Sequence, residues 1–387
     1  MRIYITTQGS RIIKEGRHLL VKKGEDTYHT LFVNKLRQVL VFGNVEVTPQ
    51  ARNMLMYHGV DTVFFKLDGR YRGRYELPEP KNIFLRIRQF QLLDDIEFGL
   101  EFSRRIVDGK LRNMITLLQR MKRTRKIQKP GVKAREIKKL LAKVAQADNI
   151  DSLRGYEGLG SRYYFSVFGR GLQKDFGFRQ RVRRPPTDPL NAVLSLLYTF
   201  LFNRVYAAIR INHLDPYPAF LHVPDYGRFS LALDLMEEFR VIIADTLTLS
   251  LFNLGVLREK DFIIRQQVEK QEENRITDTN REEIDFSKDP YGFASDGTAD
   301  IFDLPPQRIA DHVNQQDEER RGKLPVHLKP DAFKRVLENF ERKLATEFYY
   351  QPLERQLTYS EALIEQAAMY RQLVEGKREK YEPLLLK

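Results

Sequence analysis

The pattern of apolar and polar positions changes once along the chain, near residue 85. Before that point, short runs rich in β-branched and aromatic residues are bounded by Gly or charged turns, which predicts β-strands. After it, apolar residues recur at helical spacing, with one strand-like run at residues 324–328. The pattern predicts an α+β fold: a small β-rich N-terminal domain, residues 1–85, and a larger all-helical C-terminal domain, residues 86–387. The first strands are expected at residues 3–6, 12–21 and 28–33.

Two turn signals in the N-terminal domain predict β-hairpins. Gly43-Asn44 separates the apolar run at residues 39–42 from residues 45–47, and Asp68-Gly69 follows residues 64–67. Gly, Asn and Asp accept the positive φ angles that two-residue hairpin turns require. We therefore expect each turn to join two neighbouring antiparallel strands.

Two helices have distinct start signals. Thr48 followed by Pro49 is typical of an N-cap and a first helical turn, and this helix should stop near Gly59. In the same way, Asp188 before Pro189 begins the most apolar long segment of the chain, which several polar residues interrupt. Because of these interruptions, and because the N-terminus lacks a basic-then-apolar signal pattern, we expect a deeply buried helix of a soluble protein with no membrane span.

Charge and cysteine content narrow the class of protein. The 387 residues include 65 Lys+Arg and 52 Asp+Glu, a formal net charge of +13, which attracts polyanions such as nucleic acid. The absence of cysteine excludes disulfides, thiolate metal sites and a cysteine nucleophile, and favours a cytoplasmic location. Residues 101–140 are strongly basic, for which a solvated helix face is the simplest explanation. Residues 271–303 are acidic and poor in large aliphatic residues, as expected of a mobile insertion.

The segment 230–256 has a long helical pattern with carboxylates on one side. Four acids fall within about a 100° arc at 100° per residue: Asp234, Glu237, Glu238 and Asp245. An ordinary amphipathic helix that turns its acids to solvent has the same pattern. The upstream sequence favours a functional site, because His222 lies in a Pro-rich loop just before this segment, where folding could bring its ring beside Glu237.

A further acid, Glu157, lies in the Gly-rich stretch 155–160, which we interpret as the entry to a helix. Two carboxylates and one imidazole, completed by water and a substrate oxygen, suit a hard or borderline divalent ion such as Mg²⁺ or Mn²⁺, although zinc remains chemically possible. Such an ion polarises a phosphodiester and lowers the pKa of a hydroxyl or water nucleophile. A Ser or Cys nucleophile is then not required.

DNA contacts are predicted around the start of the apolar helix. The guanidinium groups of Arg181, Arg183 and Arg184 precede a stiff Pro-rich turn and suit phosphates, although a plain basic loop beside a helix cap is the alternative. Asn191, just inside the helix, is included among the predicted contacts. Tyr164 lies in an aromatic run beside a basic residue and could stack on a base, although tyrosines at this density more often pack a core.

Several motifs occur in a specific order although each is weak alone. They are Tyr156-Glu157-Gly158, residues 183–191, Leu221-His222, residues 230–240 and, near the end, Tyr381-Glu382-Pro383. In this order they resemble the CRISPR-associated integrase and endonuclease family Cas1. The chain departs from the family pattern in its acidic segment 271–303 and in Val241, where the motif often has Pro.

This resemblance implies a site, a cofactor and partners. The metal ligands would be Glu157, His222 and Glu237, with Asp234 as an auxiliary catalytic carboxylate and Mg²⁺ or Mn²⁺ as the ion. The β-rich domain would mediate a homodimer, and two such dimers would join a central Cas2 dimer. The assembly would bind double-stranded prespacer DNA and insert it into the CRISPR repeat array, with a DNA 3′-hydroxyl attacking a phosphodiester. Two alternatives stay open: a non-catalytic DNA-binding scaffold, and a transposon-encoded homologous integrase.

Overall fold

The computed structural model describes residues 1–66, 69, 71–75, 82–182, 186–264 and 326–386. These residues form two compact units, the first ending at residue 75 and the second beginning at residue 82. The boundary predicted near residue 85 falls in the first helical turn of the second unit. The acidic segment 271–303 lies outside the described residues, and so do Arg183 and Arg184.

The N-terminal unit contains two four-stranded sheets and one helix, as expected from its strand-like pattern. One sheet has the strand order β1-β5-β7-β8 and the other β4-β3-β2-β6. The residues predicted as one strand at 12–21 instead contribute to a hairpin of two antiparallel strands. The strands are β1 (Arg2–Ile5), β2 (Ser10–Glu15), β3 (His18–Lys23), β4 (Asp26–Phe32), β5 (Gln38–Phe42), β6 (Val45–Val47), β7 (Asp61–Phe65) and β8 (Tyr71–Arg74).

One of the two predicted hairpins is wrong. Strand β5 pairs in parallel with β1 and β7, whereas β6 pairs in parallel with β2, so the turn at Gly43 carries the chain from one sheet to the other. The second hairpin is confirmed, because β7 and β8 are antiparallel neighbours. The predicted helix is also confirmed: α1 spans Pro49–Tyr57, and the hydroxyl oxygen of Thr48 accepts a hydrogen bond from the Ala51 N–H at 3.4 Å.

The second unit is helical with two short, two-stranded antiparallel sheets. Strand β9 (Phe262–Ile264) pairs with β10 (Val326–Leu328), and β11 (Glu347–Tyr350) pairs with β12 (Arg355–Thr358). The hairpin of β11 and β12 interrupts the helical pattern that the sequence predicts from residue 331 to the end. The helices are α2 (Ile83–Gln91), α3 (Ile96–Arg125), α4 (Lys129–Ala145), α5 (Ile150–Phe168), α6 (Pro189–Ile211), α7 (Ser230–Phe239), α8 (Thr246–Asn253), α9 (Pro330–Leu344) and α10 (Tyr359–Val374).

Helix α6 forms the centre of the helical unit. It is long and apolar enough to cross a membrane, but 83% of its most apolar stretch is buried inside the protein, as for the core helix of a folded domain. The Asp188 side chain caps it by accepting a hydrogen bond from the Asn191 N–H at 2.9 Å, and Pro189 occupies the first turn. The expected buried helix with this start is thus confirmed.

Candidate active site

Helices α3 and α5 approach closely enough to bring Lys110 and Glu157 together. Gly160 makes this possible, because a Cβ atom at this position would clash with the Leu111 side chain of α3. One helical turn before Gly160, the Glu157 carboxylate accepts a hydrogen bond from the Lys110 ammonium. Glu157 lies within a helix that begins at Ile150, not in a Gly-rich entry loop, so that part of the sequence interpretation is wrong.

Asp234 organises the loop that carries His222. Its carboxylate is fully buried and accepts hydrogen bonds from the backbone N–H groups of Phe220 and Leu221, both at 3.1 Å, and of His222, at 2.9 Å. The same carboxylate lies 2.6 Å from His222 Nδ1. Because Nδ1 is engaged in this way, Nε2 is directed to the other side, where it lies 3.8 Å from Glu237 Oε1. The expected placement of the ring beside Glu237 is therefore present.

Lys110 links the two glutamates. Its ammonium forms an ion pair with Glu157 and lies 2.5 Å from Glu237 Oε2. Two further groups complete the cluster: Ser161 donates a hydrogen bond to Glu157 Oε1 at 2.8 Å, and Arg240 Nε lies 3.1 Å from Glu237 Oε1. Glu157 and Glu237, 80 positions apart in the chain, thus meet around one ammonium, and His222 Nε2 lies beside Glu237.

Electrostatics keep both glutamates ionised. Burial alone would raise the pKa of Glu237, but the positive charges of Arg240 and Lys110 outweigh it and lower this pKa to about 2. Burial also works to raise the pKa of Glu157, and the adjacent Lys110 ammonium lowers it overall. At neutral pH the site therefore presents two carboxylates, one of them only 3% exposed, together with an imidazole that is 24% exposed.

This donor set fits a divalent cation, but not without movement. Among the described residues, no three Asp, Glu or His side chains are already arranged to hold one ion. Glu157 and Glu237 instead share the Lys110 ammonium, so the gap between their oxygens already accommodates a positive charge. Carboxylate oxygens suit Mg²⁺ or Mn²⁺, and an imidazole suits a borderline divalent ion. An ion would take the place that the ammonium occupies.

The acid-bearing segment is not one regular helix, and its acids do not face solvent. Between α7 and α8, residues Arg240–Asp245 form a π-helical turn, a distortion that occurs frequently at functional sites. All four acids of the predicted stripe are at most 3% exposed, so the solvent-facing alternative is wrong. They are Asp234, Glu237, Glu238 and Asp245.

Two of these acids serve the core and not the cluster. Asp245 accepts hydrogen bonds from the hydroxyls of Tyr164 at 2.8 Å and Tyr198 at 2.7 Å, and burial raises its pKa to about 6. Glu238 accepts hydrogen bonds from Tyr381 and Gln366, and burial raises its pKa to about 7. Both carboxylates thus fix helices around the site.

Three predicted DNA contacts are buried or internally bonded. Tyr164 is 0% exposed and donates its hydroxyl to Asp245, so its ring is not available to stack on a base. Asn191 is also 0% exposed, and its side-chain oxygen accepts hydrogen bonds from Arg181 and from the Val182 N–H. Arg181 donates further to Ser195 at 3.0 Å. Burial of Tyr164 and Asn191 corrects their assignment as DNA contacts, whereas Arg181 is only half-buried and stays a predicted contact.

Two cations of the site, Lys110 and Arg240, were missed at the sequence level. The signal for Lys110 is its helical spacing, because it lies on the face of α3 that carries the fully buried Ile106, Val107 and Leu111. A lysine on an apolar helix face requires a buried counterion. Arg240 follows Glu237 by three residues, a spacing at which helical side chains meet.

Sequence comparisons place the chain among CRISPR proteins. The model of the family described as CRISPR associated protein Cas1 matches residues 3–284. The CRISPR-associated endonuclease Cas1 2 of Rhodospirillum rubrum is 37% identical over 276 residues, which are 67% of this chain and 78% of that protein. The CRISPR-associated endonuclease Cas1 1 of Chlorobaculum tepidum is 34% identical over 271 residues, which are 68% of this chain and 79% of that protein.

Structural comparisons agree on the fold. A casposase bound to integration product has a TM-score of 0.76 at 18% identity, covering 100% of this chain and 94% of that chain. A Cas1 protein from Thermotoga maritima has a TM-score of 0.74 at 19% identity, covering 98% of this chain and 99% of that chain. The chain also matches part of a Cas6-RT-Cas1–Cas2 complex, with a TM-score of 0.76 at 22% identity, covering 100% of this chain and 36% of that chain. The sequence match over residues 3–284, with the identities above, shows that the chain belongs to the Cas1 family.

Proposed function

We propose that the chain is a divalent-metal-dependent DNA endonuclease and integrase that inserts prespacer DNA into a CRISPR repeat array. The observation that carries this proposal is that Glu157 and Glu237 share one cation position, held by the Lys110 ammonium, while His222 Nε2 lies 3.8 Å from Glu237. Curated relatives that are 34–37% identical carry the name CRISPR-associated endonuclease, which supports a nuclease. The formal net charge of +13 supports DNA as the substrate.

Each residue of the cluster has a role in this proposal. Glu157, Glu237 and Nε2 of His222 would hold Mg²⁺ or Mn²⁺. A bound divalent ion supplies charge stabilisation for a phosphodiester and a lowered pKa for a hydroxyl or water nucleophile. Asp234 fixes the ring of His222 through Nδ1, so that the ring does not turn when DNA approaches. Arg240 keeps Glu237 ionised and in place.

The proposed reaction is a transesterification, in which one phosphodiester bond forms as another breaks. The 3′-hydroxyl of the prespacer attacks a phosphorus of the repeat, a new phosphodiester forms, and a 3′-hydroxyl of the repeat strand leaves. Water in place of the prespacer hydroxyl gives hydrolysis, the endonuclease activity. The site has one partly open side, where Glu157 is 25% and His222 is 24% exposed, and a DNA phosphate would approach there.

Partners follow from the same proposal. Structures similar to this chain include a complex named for Cas1 and Cas2 and a casposase bound to integration product, which supports Cas2 and DNA as partners; that the DNA is double-stranded is part of the proposal. A homodimer formed through the β-rich unit belongs to the proposal as an expectation from the family, and a cytoplasmic location as an expectation from the absence of cysteine.

Strand transfer in solution tests the function. Purified protein, a Cas2 dimer and Mn²⁺ or Mg²⁺ are incubated with a prespacer duplex and a plasmid that carries a repeat array. We expect joined products with the wild type and none with His222→Ala, whereas His213→Asn retains them. His213 is an exposed histidine in the same unit with φ +60°, which Asn tolerates.

Three results would contradict the proposal. Binding of both DNAs without joining, in the presence of either metal, favours the non-catalytic scaffold. Joining that is equally efficient in EDTA would show that the reaction does not need a divalent metal. Joining that ignores the repeat and depends on the sequence of the donor ends favours a transposon-type integrase, whose fold this chain shares.

A further inference from the structure

Lys110 is an unusual residue for the interior of a long helix. It is 6% exposed and lies beside the fully buried side chains of Ile106, Val107 and Leu111. Burial of an ammonium is costly unless it is paired, and here both partners are carboxylates: Glu157 and Glu237. Its burial thus depends on the two acids that would also hold the metal.

The ammonium and a divalent ion cannot occupy this gap together. Lys110 Nζ bonds one oxygen of Glu157 and lies 2.5 Å from Oε2 of Glu237. A divalent ion needs direct contact with oxygens of the same two carboxylates, at about 2.0–2.2 Å for Mg²⁺ or a similar ion. Both positive charges at such separations would repel strongly in a poorly solvated site. One cation must leave when the other enters.

The geometry offers the ammonium a way out. Lysine has a flexible four-carbon stem and a strongly hydrated head group. Glu157 and His222 are each about a quarter exposed, so solvent reaches part of the cluster although the Lys110 side chain itself is only 7% exposed. Arg240 remains beside Glu237 and continues to offset its charge after Lys110 has moved.

We propose that Lys110 is an internal cation that competes with the divalent metal for Glu157 and Glu237, so that metal binds only as Lys110 moves toward the exposed side. This inference rests on the proposed function, because it assumes that the metal site exists. It assigns Lys110 a positioning role: it keeps both carboxylates in place without metal and limits metal affinity.

Calorimetric titration with Mn²⁺ alone, without DNA, tests the competition. Lys110→Met and Lys110→Gln remove the competing charge and should bind Mn²⁺ roughly 5- to 150-fold more tightly than the wild type, the usual range of coupling between two ligands. Lys110→Arg keeps the charge and should not gain affinity. Lys139→Met is the matched control, because Lys139 is exposed on the neighbouring helix α4, and it should bind like the wild type.

Thermal melting with and without Mn²⁺ covers the case of an unstable variant. Without metal, Lys110→Met should melt below the wild type, because two buried carboxylates lose their counterion, and Mn²⁺ should raise its melting temperature more than that of the wild type. If the wild type binds Mn²⁺ and both neutral variants bind it equally well or more weakly, the competing role of Lys110 is wrong, while the metal site and the proposed function stand. Absence of Mn²⁺ binding by the wild type and by both folded neutral variants overturns the metal site and the proposed function with it.

Discussion

Asp234 supports the site through the backbone, and its removal should be measurable as lost stability. The buried carboxylate accepts three backbone N–H groups, from Phe220, Leu221 and His222, besides the contact with the His222 ring. Asp234→Ala removes the acceptor of all three at once. These N–H groups belong to one loop, so the loss is concentrated where His222 is held.

The expected magnitude follows from the number of lost acceptors. A buried donor without a partner costs about 1–3 kcal/mol, so three would cost at least about 3 kcal/mol. We take the lower end, because water can enter the loop and because the change also removes one negative charge from a site with three acids and two strong cations. At roughly 2–4 °C per kcal/mol, the melting temperature should fall by roughly 6–12 °C.

Thermal unfolding without metal, followed by circular dichroism, measures this effect against a matched variant. His222→Ala keeps Asp234 and all three backbone hydrogen bonds and removes one contact of that carboxylate, worth about 1 kcal/mol, so it should melt only roughly 2–4 °C below the wild type. Both variants should lose strand transfer. If Asp234→Ala melts as high as His222→Ala, the backbone role assigned to the carboxylate is wrong.

Two further changes probe the helix contact and the buried acid. Gly160→Ala places a methyl group against a side chain of α3 and should reduce DNA joining, whereas Gly155→Ala, which meets open space in the same helix, should retain it. Burial raises the pKa of Asp245 from 3.8 to about 6, so the stability linked to its protonated form is fully present below pH 3.8 and lost as pH rises through 6. This loss is on the order of 3 kcal/mol. In urea unfolding, the loss of stability between pH 4 and pH 7.5 should be smaller for Asp245→Asn than for the wild type by this amount, because Glu238, whose pKa burial also raises, titrates in both proteins.

The sequence predicted those features of the fold that depend on residues close together in the chain, such as helix starts. The helix starts at Thr48 and Asp188 depend on a capping side chain and the proline that follows, all within four residues. The turn at Gly43 was misassigned, because the same turn residues suit a hairpin or a crossing between sheets. The partners of the flanking strands lie at residues 2–5, 61–65 and 10–12, which no local pattern reveals.

In the candidate site, too, the sequence predicted some residues correctly and misassigned or missed others whose partners are distant in the chain. The ligand set was predicted from the residue pattern and the motif resemblance. In the structure Glu157 and Glu237 share the Lys110 ammonium and His222 lies beside Glu237, and metal binding by these three stays a prediction. Tyr164 and Asn191 were misassigned because their partners, Asp245 and Arg181, are contributed by tertiary packing. Lys110 was missed because a lysine in a basic stretch resembles a surface residue until the two glutamates that pair with it are located.

The central claim is that one divalent cation is held between Glu157, His222 and Glu237. An anomalous difference map from crystals soaked in Mn²⁺ tests it most directly. We predict a single strong peak within coordination distance of both carboxylates and of His222 Nε2, with the Lys110 ammonium displaced. A map with no peak there, or with Lys110 still bridging the two glutamates at saturating Mn²⁺, would contradict the account.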